Sequence, residues 1–179
     1  ETTSTALMWT LFCLAKNNKY QELYHSLRSS ESSLQRSFIK AFILESMRLY
    51  PPVPIISRKA IEAESYQGTV ILPKYTMACV PYVLHRNPDY WDKPDLFLPE
   101  RFLNVDYEKT YDNIYIPFAK GPRVCIGKEL AMLESEMILH YILNHFSVSA
   151  DLFIEPIPMQ YLTLKPDQKI TISLKRISK

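Results

Sequence analysis

The chain has 179 residues, of which 47% are hydrophobic, and this is enough for one globular domain with a buried core. Its 21 basic and 19 acidic side chains leave a formal net charge of +2, which argues against a nucleic-acid-binding surface built on bulk charge. Three widely spaced cysteines, Cys13, Cys79 and Cys125, disfavour a disulfide framework and a zinc site and favour a reducing compartment.

The first third of the chain has the hydrophobic periodicity of helices. Residues 5–16 are rich in apolar helix formers and end at an Asn-Asn pair, so the pattern predicts a helix that stops there. We expect a short second helix over residues 20–28 and a break at the serines of residues 29–33. A third helix is predicted over residues 34–49, because the double proline that follows ends it.

The middle of the chain changes to β-branched and aromatic residues. Residues 53–83 are interrupted by Gly68, Pro73 and Pro81, so we expect several short strands of a small sheet. Residues 87–122 contain five prolines with aromatic residues between them. This texture predicts a long ordered connection with little regular structure.

The last third predicts one more helix and a β tail. The helix is expected over residues 125–146, and residues 153–177 have the pattern of one or two hairpins. No apolar run of about 18 residues and no export signal is present, so no membrane span is predicted. Because the chain opens within an apolar helical pattern, we expect its beginning to be missing. The apolar stripe that predicts the last helix consists of Ile126, Leu130, Leu133, Met137 and Tyr141.

One short loop, PFAKGPRVCIG, concentrates chemistry around a thiol. Two of the three glycines of the chain, Gly121 and Gly127, lie within four residues of Cys125. A thiol at a helix start meets the positive end of the helix dipole, and Arg123 adds a cation, so we expect a favoured thiolate. Gly121 permits unusual backbone conformations, and Gly127 leaves room for a large flat partner. The simpler alternative is a small, buried hydrophobic cysteine.

The fixed residues of this loop carry a family resemblance. Phe118, Gly121, Arg123, Cys125 and Gly127 match FxxGxRxCxG, the haem-binding signature of the cytochromes P-450. The resemblance implies that these five residues bind haem b (iron protoporphyrin IX) and that Cys125 is the axial ligand of the iron.

The resemblance also implies a fold. It is mainly α with small β-sheets (α+β), the C-terminal part of the cytochrome P-450 fold with its I, J, K and L helices and short sheets. Residues 1–179 would then be a C-terminal fragment of a single cytochrome P-450 domain.

Two further motifs follow in the order that the family has them. Glu45 and Arg48 match the ExxR motif of the K helix, and residues 99–102 match the PERF motif. By spacing alone, Glu45 and Arg48 read as an ordinary surface ion pair. The resemblance implies instead that they form, with Arg101, a structural triad that locks the loop before the haem ligand.

Four residues are assigned to the cofactor or to catalysis by the same resemblance. Arg58 lies where the family keeps an arginine for a haem propionate, and Arg123 is suited to a propionate as well. Glu1 and Thr2 match the acid and alcohol of the I-helix motif, which makes them the expected catalytic pair for oxygen activation. From the residues alone, this stretch is a Ser/Thr cap of a helix.

The implied activity is that of a haem-dependent monooxygenase. It would insert one oxygen atom of O2 into a small hydrophobic substrate, such as a fatty acid, terpenoid or sterol, with electrons from a reductase or ferredoxin and no nucleic-acid partner. Substrate contacts in the family come from segments that correspond to residues 53–57 and 159–163, both mostly apolar here. Lys120, Arg123 and Lys128 add positive charge for the electron donor, although the two lysines are equally well explained as solvated side chains.

Other interpretations stay open at this level. A haem-thiolate isomerase or dehydratase shares the cysteine loop but commonly lacks the acid-alcohol pair, and the chain is alternatively a non-catalytic truncated or pseudoenzyme fragment. A protein without haem leaves three ordered motifs unexplained. The location is cytoplasmic for a bacterial source, or the endoplasmic reticulum membrane through a missing N-terminal anchor for a eukaryotic one. Four histidines show no metal-ligand spacing and are expected on the surface or in the core: His25, His85, His140 and His145.

Overall fold

The computed structural model describes residues 1–27, 32–150 and 155–177. Within them, helices and small antiparallel sheets alternate, so the predicted α+β class is confirmed. The helices are α1 (Thr2–Lys16), α2 (Asn18–Ser26), α3 (Ser32–Leu49), α4 (Pro81–Leu84), α5 (Tyr107–Thr110) and α6 (Lys128–His145). The strands are β1 (Ile56–Lys59), β2 (Glu64–Tyr66), β3 (Thr69–Ile71), β4 (Thr76–Cys79), β5 (Phe146–Ser149), β6 (Pro158–Gln160), β7 (Leu164–Pro166) and β8 (Ser173–Arg176).

Helix α3 is the centre of the molecule. It packs against α1, α6 and a 3₁₀ turn over Pro99–Phe102, and every residue from 41 to 49 is buried. Burial of a large apolar side chain contributes about 1.5–3 kcal/mol, so this helix carries much of the core. Because residues 41–49 are enclosed, the polar side chains in this half of α3 need partners inside the protein.

The strands form four two-stranded antiparallel sheets in the described part of the chain. β1 pairs with β4 and β2 with β3, which is the small β region expected over residues 53–83. β6 and β7 form the hairpin predicted in the tail, whereas β5 pairs with the distant β8. That long-range pairing has no local signal, because its two strands come from opposite ends of the last segment.

The ends of β5 and β7 are fastened to the helices by side chains. The Gln21 amide donates to the Val148 carbonyl at 2.7 Å and accepts from the Val148 amide at 2.8 Å, so a side chain pairs with the strand as a backbone would. The Trp9 indole donates to the Leu164 carbonyl at 2.7 Å. These contacts fix both strands relative to the helical core.

Several element boundaries differ from the sequence-based expectation. The last helix begins at Lys128, so Cys125 precedes it instead of starting it, and α4 occupies Pro81–Leu84 where strands were expected. The start of α4 is explained by Pro81, whose fixed φ suits the first position of a helix. The predicted end of the second helix at residue 28, most of the serine break and the predicted start of the tail at residue 153 lie outside the described residues.

The apolar stripe that predicted α6 is exposed. The side chains that face the core are Met132, Ser135, Leu139 and Leu143 instead. The helix has apolar residues on two faces, and periodicity alone does not say which face packs inward. The exposed stripe consists of Ile126, Leu130, Leu133, Met137 and Tyr141.

Among the described residues, none of the helices combines the length and the hydropathy that a membrane span requires.

Candidate functional site

A cleft of about 490 Å³ lies between the first turns of α1, the segment after α3, the cysteine loop and the first turns of α6. Helix α1 contributes one face, because residues four apart lie on the same side of a helix. Helix α6 contributes another wall, and the remaining walls come mostly from the segment after α3 and from the cysteine loop. The cleft is lined by Thr2, Thr3, Ala6, Met47, Pro52, Val53, Ile55, Ile56, Ser57, Arg58, Pro117, Phe118, Ala119, Arg123, Cys125, Gly127, Leu130, Ala131, Met132, Glu134 and Ser135.

Backbone hydrogen bonds present the thiol of Cys125 to this cleft. The Cys125 amide donates to the Phe118 carbonyl at 2.9 Å, and the Val124 amide donates to the Gly121 carbonyl at 3.0 Å. The loop is therefore closed on itself just before α6 begins. The Cys125 thiol is free and exposed, so the alternative of a buried hydrophobic cysteine is wrong.

The two glycines of the loop have different structural reasons. Gly121 has φ +78°, a conformation that side chains with a Cβ avoid, and its surroundings are otherwise open. Gly127 has an ordinary φ of −89°, and a Cβ built there would meet only the Cys125 sulfur, at 4.0 Å. The chain alone therefore does not require glycine at 127. Because Gly127 has no side chain, space remains free beside the Cys125 thiol.

The loop offers a test of backbone strain with two opposite changes. Ala119 has φ +60°, a left-handed conformation that strains a residue with a Cβ. Gly121 adopts a similar φ without this strain, because glycine has no Cβ. We expect Gly121→Ala to destabilise the protein by about 1–2 kcal/mol and Ala119→Gly to stabilise it by up to about 1 kcal/mol. Denaturant unfolding of both variants measures the difference, and equal signs would contradict the described loop.

A buried cluster of charges lies at the C-terminal end of α3. The Arg48 guanidinium binds both oxygens of the Glu45 carboxylate at 2.8 Å, and both side chains are fully buried. Arg101 Nε lies 3.5 Å from Glu45 Oε1, and the Arg101 guanidinium also donates to the Lys93 carbonyl. The structure thus brings together the three residues of the expected triad.

This cluster binds the backbone of the long connection between β4 and the loop. Arg48 donates to the carbonyls of His85 and Pro94, at 2.7 Å each, and to that of Leu96 at 2.9 Å. The Leu98 amide donates to Glu45 at 2.8 Å. Burial raises the pKa of the Glu45 carboxyl, while the hydrogen bonds from Arg48 and from the Leu98 amide oppose that shift. We take the pair as ionised, because its hydrogen bonds are charge-assisted.

Two further side chains hold the segment that leads into the cysteine loop. The buried Tyr115 hydroxyl donates to the Leu44 carbonyl at 2.7 Å, and the Ile116 amide donates to His85 Nε2 at 2.9 Å. Burial lowers the pKa of His85 to about 3, so the ring is neutral and Nε2 is an acceptor. Sequence reasoning gave His85 a structural role but missed Tyr115, which nothing local distinguishes from the other eleven tyrosines.

Two guanidinium groups line the cleft near the thiol. Arg58 is exposed and donates to the Ser57 carbonyl at 2.9 Å, and Arg123 is exposed as well. Neither arginine makes an ion pair with an acid in the parts of the chain that the structure describes. Such groups are suited to bind carboxylates of a ligand in the cleft.

The predicted acid-alcohol pair is divided between the cleft and its edge. Thr2 lines the cleft, whereas the Glu1 carboxylate lies 3.0 Å from Lys165 Nζ and accepts from the Thr163 hydroxyl at 3.3 Å. The hydrogen bond and the charge of Lys165 lower the pKa of Glu1. Neither Lys165 nor Thr163 was predicted as a partner of Glu1.

The two expected substrate segments differ in position. Residues 53–57 contribute Val53, Ile55, Ile56 and Ser57 to the cleft, whereas none of residues 159–163 lines it. Among the described residues, no group of three or more His, Cys, Asp and Glu side chains could hold a metal ion.

The lysines expected to attract an electron donor have acidic partners within the chain. Lys120 is paired with Asp112, and Lys128 with Glu108. These pairs join the short α5 region to both sides of the cysteine loop. Much of the positive charge expected there is therefore already balanced within the chain.

A comparison with known families decides which fold this is. The family model for Cytochrome P450 matches residues 1–174. The chain belongs to the cytochrome P450 family. The family prediction made from the cysteine loop and the ExxR and PERF motifs is thereby confirmed.

Relatives of this P450 chain include proteins from vertebrates and insects. It is 32% identical to cytochrome P450 4V2 of Homo sapiens and 34% identical to probable cytochrome P450 4p2 of Drosophila melanogaster, over 98% of its own length in both cases. It spans 36% of the length of each of these relatives.

A solved structure agrees with the fold. The crystal structure of the cytochrome P450DA heme domain superposes with a TM-score of 0.83 at 26% identity, covering 99% of this chain and 41% of that one. The P450 chain therefore has part of the P450 fold, as the motifs predicted.

Proposed function

We propose that this cytochrome P450 would bind haem b in the cleft, where the Cys125 thiolate would hold the iron. The observation that carries the proposal is the exposed Cys125 thiol, held at the cleft by a closed backbone loop and flanked by the free space at Gly127. A soft sulfur ligand beside an open space suits a large, flat iron cofactor.

The residues around the thiol fit such a group. Arg58 and Arg123 provide guanidinium forks for the two propionates, and Phe118 lines the cleft as an apolar contact. Gly121 and Gly127 serve in different ways, since Gly121 shapes the loop and Gly127 leaves the approach to the thiol open.

We propose further that the activity is monooxygenation of a small hydrophobic substrate. Haem with a thiolate ligand supplies O2 activation when it is bound. Cys125 holds the ligand atom, Thr2 offers a hydroxyl within the cleft, and Glu1 provides an ionised carboxylate at its edge. The apolar residues at positions 53, 55 and 56 exclude water and favour an apolar substrate. Electrons come from a reductase or ferredoxin.

A difference spectrum tests the haem site directly. The haem-loaded protein is reduced with dithionite and exposed to CO, and a red-shifted Soret band is expected for thiolate ligation. Oxygen insertion is then tested with a panel of fatty acids, terpenoids and sterols, an electron donor and O2. A protein that takes up no haem, or a band at the position of a histidine-ligated haem, would overturn the proposed site.

The propionate contacts give a quantitative prediction. Arg123→Gln is expected to weaken haem binding about 5–30-fold, because one charge-assisted hydrogen bond of about 1–2 kcal/mol is lost. Haem titration of the apoprotein, followed by absorbance, measures this change. Arg176→Gln is the matched control, since Arg176 is an exposed arginine of β8 outside the cleft. Equal losses for both variants would contradict the specific role of Arg123.

A further inference from the structure

The Glu1 side chain is bound by two residues of the terminal hairpin. Lys165 Nζ lies 3.0 Å from Glu1 Oε1, and the Thr163 hydroxyl donates to the same oxygen at 3.3 Å. Both contacts join positions more than 160 residues apart. Thr163 is the last residue of the expected substrate segment 159–163, whereas Lys165 belongs to none of the motifs in the sequence.

The hairpin that carries these two residues has a fixed position. The Leu164 amide donates to the Pro52 carbonyl at 3.0 Å, and the Leu164 carbonyl accepts from the Trp9 indole at 2.7 Å. Trp9 in turn stacks on Tyr50, with ring centroids 4.2 Å apart. Leu164 and Thr163 are each only 2% exposed. Lys165 and Thr163 are therefore held in place by the core and by the segment that continues into the cleft wall.

The contact orients Glu1 but does not trap it. The Lys165 and Glu1 side chains are 49% and 52% exposed, and ion pairs of this kind contribute about 0–1 kcal/mol. Thr2, the next residue along the chain, lines the cleft. The carboxylate is thus kept at the edge of the cleft by a contact that thermal motion can open.

We propose that Lys165 and Thr163 are positioning residues that hold the Glu1 carboxylate in one orientation at the edge of the cleft, beside Thr2. The inference rests on the proposed function, in which Glu1 and Thr2 are the catalytic acid-alcohol pair. A carboxylate held in one orientation reaches its reacting geometry more often than one that samples many rotamers. Neither Lys165 nor Thr163 lines the cleft, so both act through Glu1.

A double-mutant cycle in the haem-loaded protein tests the inference. Lys165→Met is expected to lower kcat about 2–5-fold with little change in KM, because orientation and not substrate binding is lost. Lys165→Arg should restore kcat, since it keeps the positive charge. In a Glu1→Gln background, Lys165→Met should have no further effect, because its target is gone. Lys169→Met is the control, an exposed lysine of the same segment with no ion pair among the described residues.

A readout independent of activity separates this inference from the proposed function. The pKa of the Glu1 carboxyl, followed by carbon NMR and assigned by its loss in Glu1→Gln, should rise toward its ordinary value in Lys165→Met and stay low in Lys165→Arg. Thr163→Val removes one hydroxyl in a nearly isosteric change and should raise the same pKa by a smaller amount. An absent thiolate band in the CO spectrum would overturn the proposed function but not the positioning role of Lys165 and Thr163. An unchanged Glu1 pKa, or an equal loss of kcat in both backgrounds, would overturn that positioning role.

Discussion

Replacing Cys125 by serine is expected to abolish the red-shifted ferrous-CO band and all monooxygenase activity. The hydroxyl of serine is a hard, weakly acidic donor, so it cannot replace the thiolate as a ligand of haem iron. The effect should be complete and not graded, since Cys125 supplies the one thiol among the residues that line the cleft. Cys125→His is expected to keep some haem but to give a CO band at the position typical of a nitrogen ligand.

The matched control for this change is Cys79→Ser. Cys79 is also an exposed, free cysteine, but it lies on β4 and does not line the cleft. Its replacement should leave the CO spectrum unchanged. A thiolate-type band that persists in Cys125→Ser would show that another residue ligates the iron, and the proposed site would be wrong.

The parts of the site that could be predicted from sequence are those encoded within a few residues. The cysteine loop has its glycines, its arginine and its thiol within one stretch, and its geometry follows from local backbone hydrogen bonds. The pairing of Glu45 with Arg48 is likewise local, because residues three apart on a helix are neighbours. Spacing alone predicts an exposed ion pair between Glu45 and Arg48, whereas both side chains are completely buried in the structure.

The parts that could not be predicted depend on contacts between distant segments. The pairing of β5 with β8, the Tyr115 hydroxyl on the Leu44 carbonyl, and the approach of Lys165 to Glu1 each need the folded chain. The face of α6 that packs inward is a similar case, because two apolar faces compete and tertiary packing chooses between them. Composition and periodicity carry no information about which distant partner arrives.

The structure adds partners to three residues that the sequence analysis had considered. His85 was expected to be structural, and its neutral ring accepts the Ile116 amide just before the cysteine loop. Lys120 and Lys128 were considered as docking charges, and both are paired with acids of the α5 region. The surface beside the cysteine loop therefore carries less unpaired positive charge than the number of lysines there predicts.

The second large effect is expected for Arg48→Met. This change replaces the arginine with an apolar side chain of similar length and removes the partner of the fully buried Glu45. The carbonyls of His85, Pro94 and Leu96 lose their donor at the same time. Breaking a buried ion pair on one side costs about 3–5 kcal/mol, a large part of the roughly 5–15 kcal/mol that stabilises a typical domain. Denaturant unfolding of the haem-loaded protein should show this loss, together with weaker haem retention.

The pH dependence of the Arg48→Met variant distinguishes an unpaired buried charge from a simple packing defect. With Arg48 gone, burial still raises the pKa of Glu45 and its main opposing contact is lost. The folded state then binds a proton more tightly than the unfolded state, so stability falls as pH rises above the ordinary glutamate pKa and is partly recovered on acidification. Adding Glu45→Gln to Arg48→Met should recover stability at neutral pH, because the uncompensated charge is removed.

The control is Arg36→Met. The Arg36 side chain is 76% exposed and pairs with Glu136, so its loss should cost less than about 1 kcal/mol. A loss of that small size for Arg48→Met, or no dependence on pH, would contradict the role of this cluster in binding the backbone between His85 and Leu98.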